Sequence, residues 1–223
     1  MPATAAVAMW CDVAFDVREE FDHWHAHEHM PERLGIPGFL RGSRWVAEQG
    51  AGYFMLYEVE SEAVLTSTAY LERLNNPTPW SRRMMPHHRN MVRGLCRIDA
   101  GYGGGLGQAM LTVRFSADER MRVWLAGVLA ALPARKGVTG SMLLRNIAQP
   151  APATAEQRLR GGDRPPDWVV LINGYSAEAL ALEELSDAEL RAHGAHGECV
   201  TGRYRLAYML AATGYTGRPE EAA

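Results

Sequence analysis

The sequence predicts an α+β protein made of two tandem ferredoxin-like halves, each with the element order βαββαβ. Two observations predict this fold. Hydrophobic periodicity indicates strand, helix, strand, strand, helix and strand in residues 7–100, and the same order follows in residues 109–211. The two halves also align with each other, since Trp24 falls opposite Trp124 in that register. We therefore expect a tandem duplication.

The elements of the first half follow from the spacing of its apolar residues. Asp16 suits the N-cap of the first helix, and Pro31 marks the expected end of that helix. A further short helix is expected to begin at Pro79. The predicted strands are residues 7–15, 39–48, 53–59 and 93–100, and the two longer predicted helices are residues 16–31 and 62–74.

The second half adds one long segment to the same plan. Residues 149–166, rich in Pro, Ala, Gly and Arg, are interpreted as a disordered insertion, with a lid as the alternative. The glycine-rich residues 101–107 precede a strand rather than a helix, so they are interpreted as a connector and not as a phosphate-binding loop. They divide the chain into domains 1–104 and 105–223. The predicted strands are 109–115, 138–147, 168–175 and 199–211, and the predicted helices are 117–134 and 177–192.

Composition and charge argue against several functions. The 223 residues carry a formal net charge of −3, whereas nucleic-acid binding calls for a basic face. No apolar run approaches the roughly 18 residues of a membrane span, and residues 1–15 lack the pattern of a signal peptide. Three scattered cysteines suit a reducing compartment. We therefore expect a cytoplasmic protein without nucleic-acid or membrane partners; a homodimer is left open.

The first helix carries the candidate catalytic residues. Residues 21–29 hold four of the eight histidines. On an α-helical wheel, Glu28 falls on the apolar stripe, His25 lies to one side of that stripe and His29 beyond it. A carboxylate there is costly unless it is paired or hydrogen-bonded, and enzymes place carboxyl groups in such surroundings for acid–base work. We therefore predict His25, Glu28 and His29 as catalytic residues.

The second half provides an internal comparison for these three positions. In the register of the two tryptophans, the aligned residues are Leu125, Val128 and Leu129. Hydrocarbon side chains therefore suffice at these places when only packing is required. The asymmetry favours a functional site in domain 1–104 and a structural role for domain 105–223. The alternative is a helix end that faces solvent, where polar residues cost nothing.

A second polar cluster lies in a stretch that the second half lacks. Two arginines near two histidines suit the binding of a carboxylate or another anionic group, since guanidinium makes bidentate contacts. A surface turn of helix is the alternative. The cluster contributes five substrate-binding candidates: Trp80, Arg82, Arg83, His87 and His88. A metal held by His25, Glu28 and His29, with His87 or His88 as a further ligand, is weighed below a metal-free site.

Three pieces of the sequence resemble one superfamily: residues 24–33 (WHAHEHMPER), 37–39 (PGF) and 82–86 (RRMMP). They are similar to bacterial proteins of the dimeric α/β-barrel superfamily, which includes EthD-like, muconolactone-isomerase-like and antibiotic-biosynthesis-monooxygenase-like families. The resemblance implies that the two halves close an intramolecular barrel with the helices outside, and that a pocket lies between the first sheet and its helices. The candidates for the pocket wall are Trp10, Trp45 and Tyr57, with ordinary core as the alternative, and Trp24 is a further substrate-binding candidate.

The sequence and the resemblance together predict a cofactor-independent acid–base enzyme, an isomerase, cyclase or lyase, with no metal. Its substrate would be a small aromatic or apolar organic acid or carbonyl compound. His29 or His25 would move a proton next to a carbonyl, and Glu28 would orient the imidazole or act as the second acid–base group. Arg82 or Arg83 would hold an anionic group. This hypothesis requires a pocket of roughly several hundred Å³. The alternatives are a cofactor-free or metal-dependent monooxygenase, and a non-catalytic small-molecule binding protein.

Overall fold

A computed structural model describes residues 2–147, 153–161 and 165–212. Its strands are β1 (Ala5–Asp12), β2 (Phe39–Ala47), β3 (Gly52–Val59), β4 (Arg89–Gly103), β5 (Ala109–Ala117), β6 (Val138–Asn146), β7 (Trp168–Gly174) and β8 (Ala195–Ala211). Its α-helices are α1 (Arg18–Trp24), α2 (Met30–Leu34), α3 (Thr68–Asn75), α4 (Pro79–Met84), α5 (Met121–Ala131), α6 (Ala155–Arg160) and α7 (Asp187–Ala192). Short 3-10 turns occupy Phe15–Val17, Glu62–Thr66, Met85–His87, Leu132–Ala134, Glu178–Leu180 and Glu183–Leu185.

The eight strands form one closed antiparallel barrel in the order β1-β3-β2-β8-β5-β7-β6-β4. The first four strands of the chain are neighbours in the order β4-β1-β3-β2, and the last four are neighbours in the order β8-β5-β7-β6. The two sets join where β2 pairs with β8 and where β4 pairs with β6. Closure leaves no unpaired strand edge among the described strands. The predicted α+β class and the barrel implied by the resemblance are confirmed.

The core has three parts. Large aromatic side chains, including Trp10, Trp45 and Phe54, fill part of the barrel interior. Outside the barrel, the helices of the first half cover one side, where Phe21 and Tyr57 are buried. Helices α5 and α7 of the second half cover the other side around Leu125 and its neighbours, whereas α6 lies on the first-half side, where Leu159 packs against the core. Both faces of the barrel wall are therefore buried, which explains why its strands are near-continuous apolar runs in the sequence.

A π-helical turn, His25–His29, joins α1 to α2. At its end the Met30 N–H donates to the carbonyl oxygen of His25, five residues earlier. The wider turn brings both His25 and His29 onto the buried face and leaves Glu28 half-buried. The predicted helix end at Pro31 is wrong, because Pro31 lies in the first turn of α2, where a missing N–H is tolerated.

Two predictions for the second half are corrected. Residues 177–192, predicted as one helix, form two 3-10 turns and α7, which Ser186 caps by accepting from the Glu189 N–H. Within the predicted disordered insertion, residues 155–160 form α6, and a capping box of Thr154 and Gln157 stabilises its start. Residues 149–152 and 162–164 of that insertion lie outside the described part of the chain.

The helices of the described residues are all too short or too polar to cross a membrane.

Candidate active site

A small cavity lies between the outer face of the first-half strands and the helices that cover them. Its volume is about 20 Å³, which is room for about one water molecule. This is far below the several hundred Å³ that the enzyme hypothesis required. Six apolar side chains line it: Val7, Met9, Phe39, Leu74, Met85 and Met91. Eight polar side chains complete the wall: His29, Arg33, Tyr57, Tyr70, His88, Arg93, Glu156 and Arg160.

The predicted residue His29 reaches this cavity. Its side chain is 5% exposed, and its ring centroid lies 4.6 Å from that of Trp24. Burial holds the pKa of His29 well below its ordinary value, and the nearby Arg33 guanidinium lowers it further. The imidazole is therefore neutral at physiological pH. Its buried Nδ1 has no hydrogen-bond partner among the described residues, so a ligand or a water molecule is the natural partner.

His25 lies behind His29 and contacts the cavity through Tyr57. Its Nε2 is 3.1 Å from the Tyr57 hydroxyl oxygen, and its ring centroid is 5.5 Å from that of His29. Burial is the main cause that holds the pKa of His25 well below its ordinary value, followed by the charge of Arg44. Burial also raises the pKa of Tyr57. Both groups are therefore neutral, and His25 fixes the tyrosine hydroxyl at the cavity wall.

His88 is the second histidine of the cavity. Its Nδ1 lies 3.0 Å from the carbonyl oxygen of Met85, three residues earlier in the chain. A carbonyl can only accept, so Nδ1 carries the proton and the neutral ring keeps a lone pair at Nε2. Burial lowers the pKa of His88 to about 4. This geometry gives a neutral imidazole with a defined tautomer, whose Nε2 can accept a proton or a hydrogen bond from a bound group.

Arg33 connects the cavity to α6. Its Nη2 donates to Glu156, which is 123 residues away in sequence, and both side chains are at least 96% buried. Arg160 lies on the other side of that carboxylate, with 3.7 Å between its Nη1 and the Glu156 Oε2. The Arg33 Nη1 is buried and has no hydrogen-bond partner among the described residues. Arg33 therefore presents a donor to anything that binds beside it.

Arg93 and Tyr70 form a further polar contact in the wall of this cavity. The Arg93 Nη2 donates to the Tyr70 hydroxyl at 2.7 Å, and both side chains are buried. Because β4 alternates between the two faces of the barrel, Arg93 on this strand points out of the barrel toward the helices. It adds a third guanidinium to the cavity wall.

Glu28 lies away from the cavity and joins the first helix to α4. Its Oε1 accepts from the Thr78 hydroxyl at 2.6 Å, from the Trp24 Nε1 at 3.0 Å and from the Ser81 hydroxyl at 3.1 Å. It is not among the residues that line the cavity. The π-helical turn is the reason, since it rotates Glu28 from the middle of the buried face toward α4. Among the described residues, Glu28 makes no hydrogen bond to an imidazole, which differs from the prediction.

The remaining predicted binding residues lie in three different places: at the site, inside the barrel, and on α4 and the turn that follows it. Trp24 and Tyr57 are buried at the site, Trp24 beneath His29 and Tyr57 in the cavity wall. Trp45 is wrong as a wall residue, because β2 turns its side chain into the barrel interior, where it donates to Ser43. Four predicted residues of α4 and of the 3-10 turn that follows it do not line the cavity. They are Trp80, which donates to Glu20, the exposed Arg82 and Arg83, and the half-buried His87.

The second half has hydrocarbon at the places of the two buried histidines. Leu125 and Leu129 are 0% exposed, compared with 0% for His25 and 5% for His29. The alternative of a solvent-facing helix end is therefore wrong for His25 and His29. Leucine satisfies packing at these positions in one half, whereas the other half buries two imidazoles at the cost of unpaired ring nitrogens.

Metal binding by histidines 25 and 29 was the alternative to a metal-free site. Across residues 2–147, 153–161 and 165–212, no three His, Cys, Asp or Glu side chains are grouped closely enough to hold a metal ion.

Four charged residues of the cavity were not among those predicted from the sequence. Arg33 was inside the string 24–33, four residues after His29, so helical spacing could have indicated it. Thr154 and Gln157 form a capping-box pattern that could have identified α6, which carries Glu156 and Arg160. Nothing local marked Arg93, because its position depends on which face of β4 meets the helices.

Comparison with known proteins shows the fold. No protein-family model matches the sequence, and no curated protein matches it. An anthrone oxidase-like protein superposes with a TM-score of 0.63 at 10% identity, covering 95% of this chain and 94% of that one. A candidate monooxygenase from Fusobacterium nucleatum gives 0.60 at 8% identity, covering 95% and 96%. One from Lactobacillus acidophilus gives 0.54 at 9% identity, covering 94% and 97%. At these identities the likeness establishes a shared fold, with the eight-stranded barrel described above, and not a shared function.

Proposed function

We propose that this chain is an acid–base enzyme that removes a proton from the carbon next to a carbonyl group in a small, largely apolar or aromatic organic acid. One observation carries the proposal: two neutral imidazoles, His29 and His88, line the same buried cavity as Arg33, whose Nη1 lacks a partner among the described residues. A base beside a cation is what enolate formation requires.

The proton transfer assigns a role to each group. The C–H bond of the substrate breaks, its proton goes to Nε2 of His88, and the electron pair moves onto the carbonyl oxygen. Arg33 stabilises the resulting enolate oxygen, because a guanidinium in a buried site acts through a low dielectric. His29 returns or relays the proton, and His25 positions Tyr57. These roles replace those predicted for Glu28, Arg82 and Arg83.

The fate of the enolate decides the reaction class. Return of the proton to another carbon is an isomerisation, attack on a second carbonyl is a cyclisation, and loss of a leaving group is a lyase reaction. All three require only side chains that the cavity contains.

Substrate binding requires the cavity to widen, since about 20 Å³ holds only a water-sized molecule. We infer that α6 is the part of the wall that moves. It is one short helix, held by the Arg33–Glu156 pair, by a hydrogen bond of 3.1 Å from the Ala155 N–H to the Asn75 side chain, and by Leu159, which packs against the core. Its displacement would free Arg33 for the acidic group of a substrate.

A second part of the proposal concerns how the two halves of the chain are related. We propose that the two halves are a tandem duplication, that domain 1–104 carries the site and that domain 105–223 supports it. The shared strand order of the two halves and the leucines at the aligned positions favour this. An EthD-like or muconolactone-isomerase-like origin, a cytoplasmic location and a homodimer stay predictions.

Deuterium exchange tests the function directly. A panel of small aryl and alkyl keto acids is incubated with the protein in D₂O, and loss of the C–H signal next to the carbonyl is followed by NMR. We expect at least one acid to exchange faster with the wild-type chain than with the His88→Gln variant. Exchange at the buffer rate across the whole panel would contradict the proposal.

A monooxygenase is the second candidate. Two of the compared structures carry that description at the same fold, and the same enolate is the species that would react with O₂. An oxygen electrode distinguishes the two candidates. Consumption of O₂ in proportion to substrate favours oxygenation, whereas exchange or product formation under argon favours the isomerase, cyclase or lyase class.

A further inference from the structure

The barrel interior is filled unevenly. At one end, Trp10 stacks on Phe54 with 4.9 Å between ring centroids, and Tyr204 packs on Phe54 at 5.8 Å. The other end holds a cavity of about 480 Å³ that opens at the barrel mouth. An eight-stranded barrel is just wide enough either to be filled by side chains or to hold one small ligand. This barrel is filled at one end and hollow at the other.

The hollow end has the size and lining of a small-molecule site. Ligand pockets are mostly apolar and occupy roughly 300–1,000 Å³. Five apolar side chains from five strands form the wall of this cavity: Leu56, Ile98, Met110, Met142 and Leu171. Small residues at the mouth, such as Ser43 and Ala100, leave the space open. The wall residues are buried or half-buried, so the apolar surface of the cavity is sheltered from bulk water.

The polar groups of the cavity include one ion pair, and Asp99 and Asn173 also line it. The Arg41 Nε donates to the Glu58 Oε2 at 2.5 Å, and the Arg41 Nη2 donates to the Glu58 Oε1 at 2.9 Å. The Glu58 side chain is 10% exposed and the Arg41 side chain 33%. An ion pair in a half-buried position is costly in desolvation and adds little to stability. Its charges cancel, while its guanidinium can still donate and its carboxylate can still accept.

We propose that the barrel mouth is a second ligand site, which binds a neutral, mainly apolar or aromatic molecule whose hydroxyl group contacts both Arg41 and Glu58. A hydroxyl donates to the carboxylate and accepts from the guanidinium, whereas a carboxylate ligand would meet Glu58 with the same charge. The site is separate from the candidate active site, which lies on the outer side of the barrel wall. It does not depend on the proposed function.

Fluorescence titration of the full chain with N-phenyl-1-naphthylamine, a neutral apolar probe, tests for the site. We expect saturable binding by the wild-type chain. The Met142→Trp substitution fills the mouth and is expected to weaken binding by about tenfold or more, since it excludes the probe from the apolar wall. The control is Val123→Trp, a large substitution at a residue of α5 that is 81% exposed and does not line the cavity, which should leave the affinity unchanged.

Competition against the bound probe tests the ion pair. We expect 1-naphthol to displace the probe at about tenfold lower concentration than naphthalene, which lacks the hydroxyl group. The double substitution Arg41→Met/Glu58→Met removes both charges together, so it leaves neither one buried alone and should preserve the fold. In that variant the preference for 1-naphthol should disappear while naphthalene still binds.

Five results would overturn the proposal. Four of them are the absence of saturable binding to the wild-type chain, an affinity unaffected by Met142→Trp, a preference for 1-naphthol that survives the double substitution, and tighter binding of 1-naphthoate than of 1-naphthol. The His29→Leu variant identifies the cavity that is used: loss of probe binding there would place the probe in the outer cavity and contradict the barrel site. Circular dichroism and thermal unfolding establish that each variant is folded.

Discussion

The Nδ1 of His88 donates a hydrogen bond of 3.0 Å to the carbonyl oxygen of Met85, which leaves Nε2 as the basic nitrogen of a buried imidazole. Replacement of His88 by Gln keeps a polar side chain of similar size but removes the base. We expect the rate of deuterium exchange to fall by about 10²–10⁴-fold, with the thermal midpoint little changed. His87→Gln, the adjacent half-buried residue outside the cavity lining, is the matched control and should exchange at the wild-type rate.

The same histidine makes stability depend on pH. Because burial lowers the pKa of His88 from 6.5 to about 4, the unfolded chain binds a proton in this range that the folded chain does not. Stability is therefore greatest above pH 6.5 and decreases as the pH falls toward 4, by about 3 kcal/mol from His88 alone. Urea unfolding between pH 4 and pH 8 measures this. A smaller slope is expected in His29→Leu, which removes a second buried imidazole; an identical slope would contradict the assignment of His29.

Substitutions at the Arg33–Glu156 pair can distinguish a role in stability from a role in substrate binding. Arg33→Met takes one guanidinium from the buried Glu156 carboxylate and should destabilise the fold by about 3–5 kcal/mol. Arg33→Met/Glu156→Met removes both charges of this pair but also takes the carboxylate from the buried Arg160, so it should recover part of that loss. If Arg33 holds the substrate anion, the double variant remains inactive in deuterium exchange although it is folded. Recovery of exchange together with stability would assign the pair a purely structural role.

Glu28 is expected to act on stability and not on chemistry. It accepts from three side chains, so Glu28→Ala leaves Trp24 and Thr78 short of a partner and should lower the free energy of unfolding by about 1–3 kcal/mol. Because Glu28 does not line the cavity, exchange at a temperature where the variant is folded should stay close to the wild-type rate. A loss as large as that of His88→Gln would restore Glu28 to the acid–base machinery.

The exposed arginines of α4 provide a further check. Arg82 and Arg83 suited an anion site by sequence, but both side chains face solvent. Arg82→Ala/Arg83→Ala should leave both the Michaelis constant for an acidic substrate and the exchange rate unchanged. A large rise in the Michaelis constant would show that α4 turns toward the substrate when it binds.

Local patterns explain which parts were predictable. Helical spacing indicated that His25 and His29 lie near the apolar face, and comparison with Leu125 and Leu129 indicated that packing alone does not require histidine there. These inferences needed only neighbours within one or two turns. Glu28 was misplaced because a π-helical turn changes the rotation per residue, which a regular helical wheel does not include.

The sequence by itself determined the α+β element order, the paired histidines of the first helix and the hydrocarbon at the aligned positions of the second half, because periodicity and repetition are local properties of the chain. Only the tertiary structure decided which residues meet in the cavity. Trp45 and Tyr57 both lie in buried strands, but the Trp45 side chain faces the barrel interior and the Tyr57 side chain faces the helices. Since both faces of the barrel wall are apolar, the hydrophobic pattern of the sequence cannot tell which face a given side chain occupies. The contact of Arg33 with Glu156 spans 123 residues, and only closure of the barrel across the two halves brings them together.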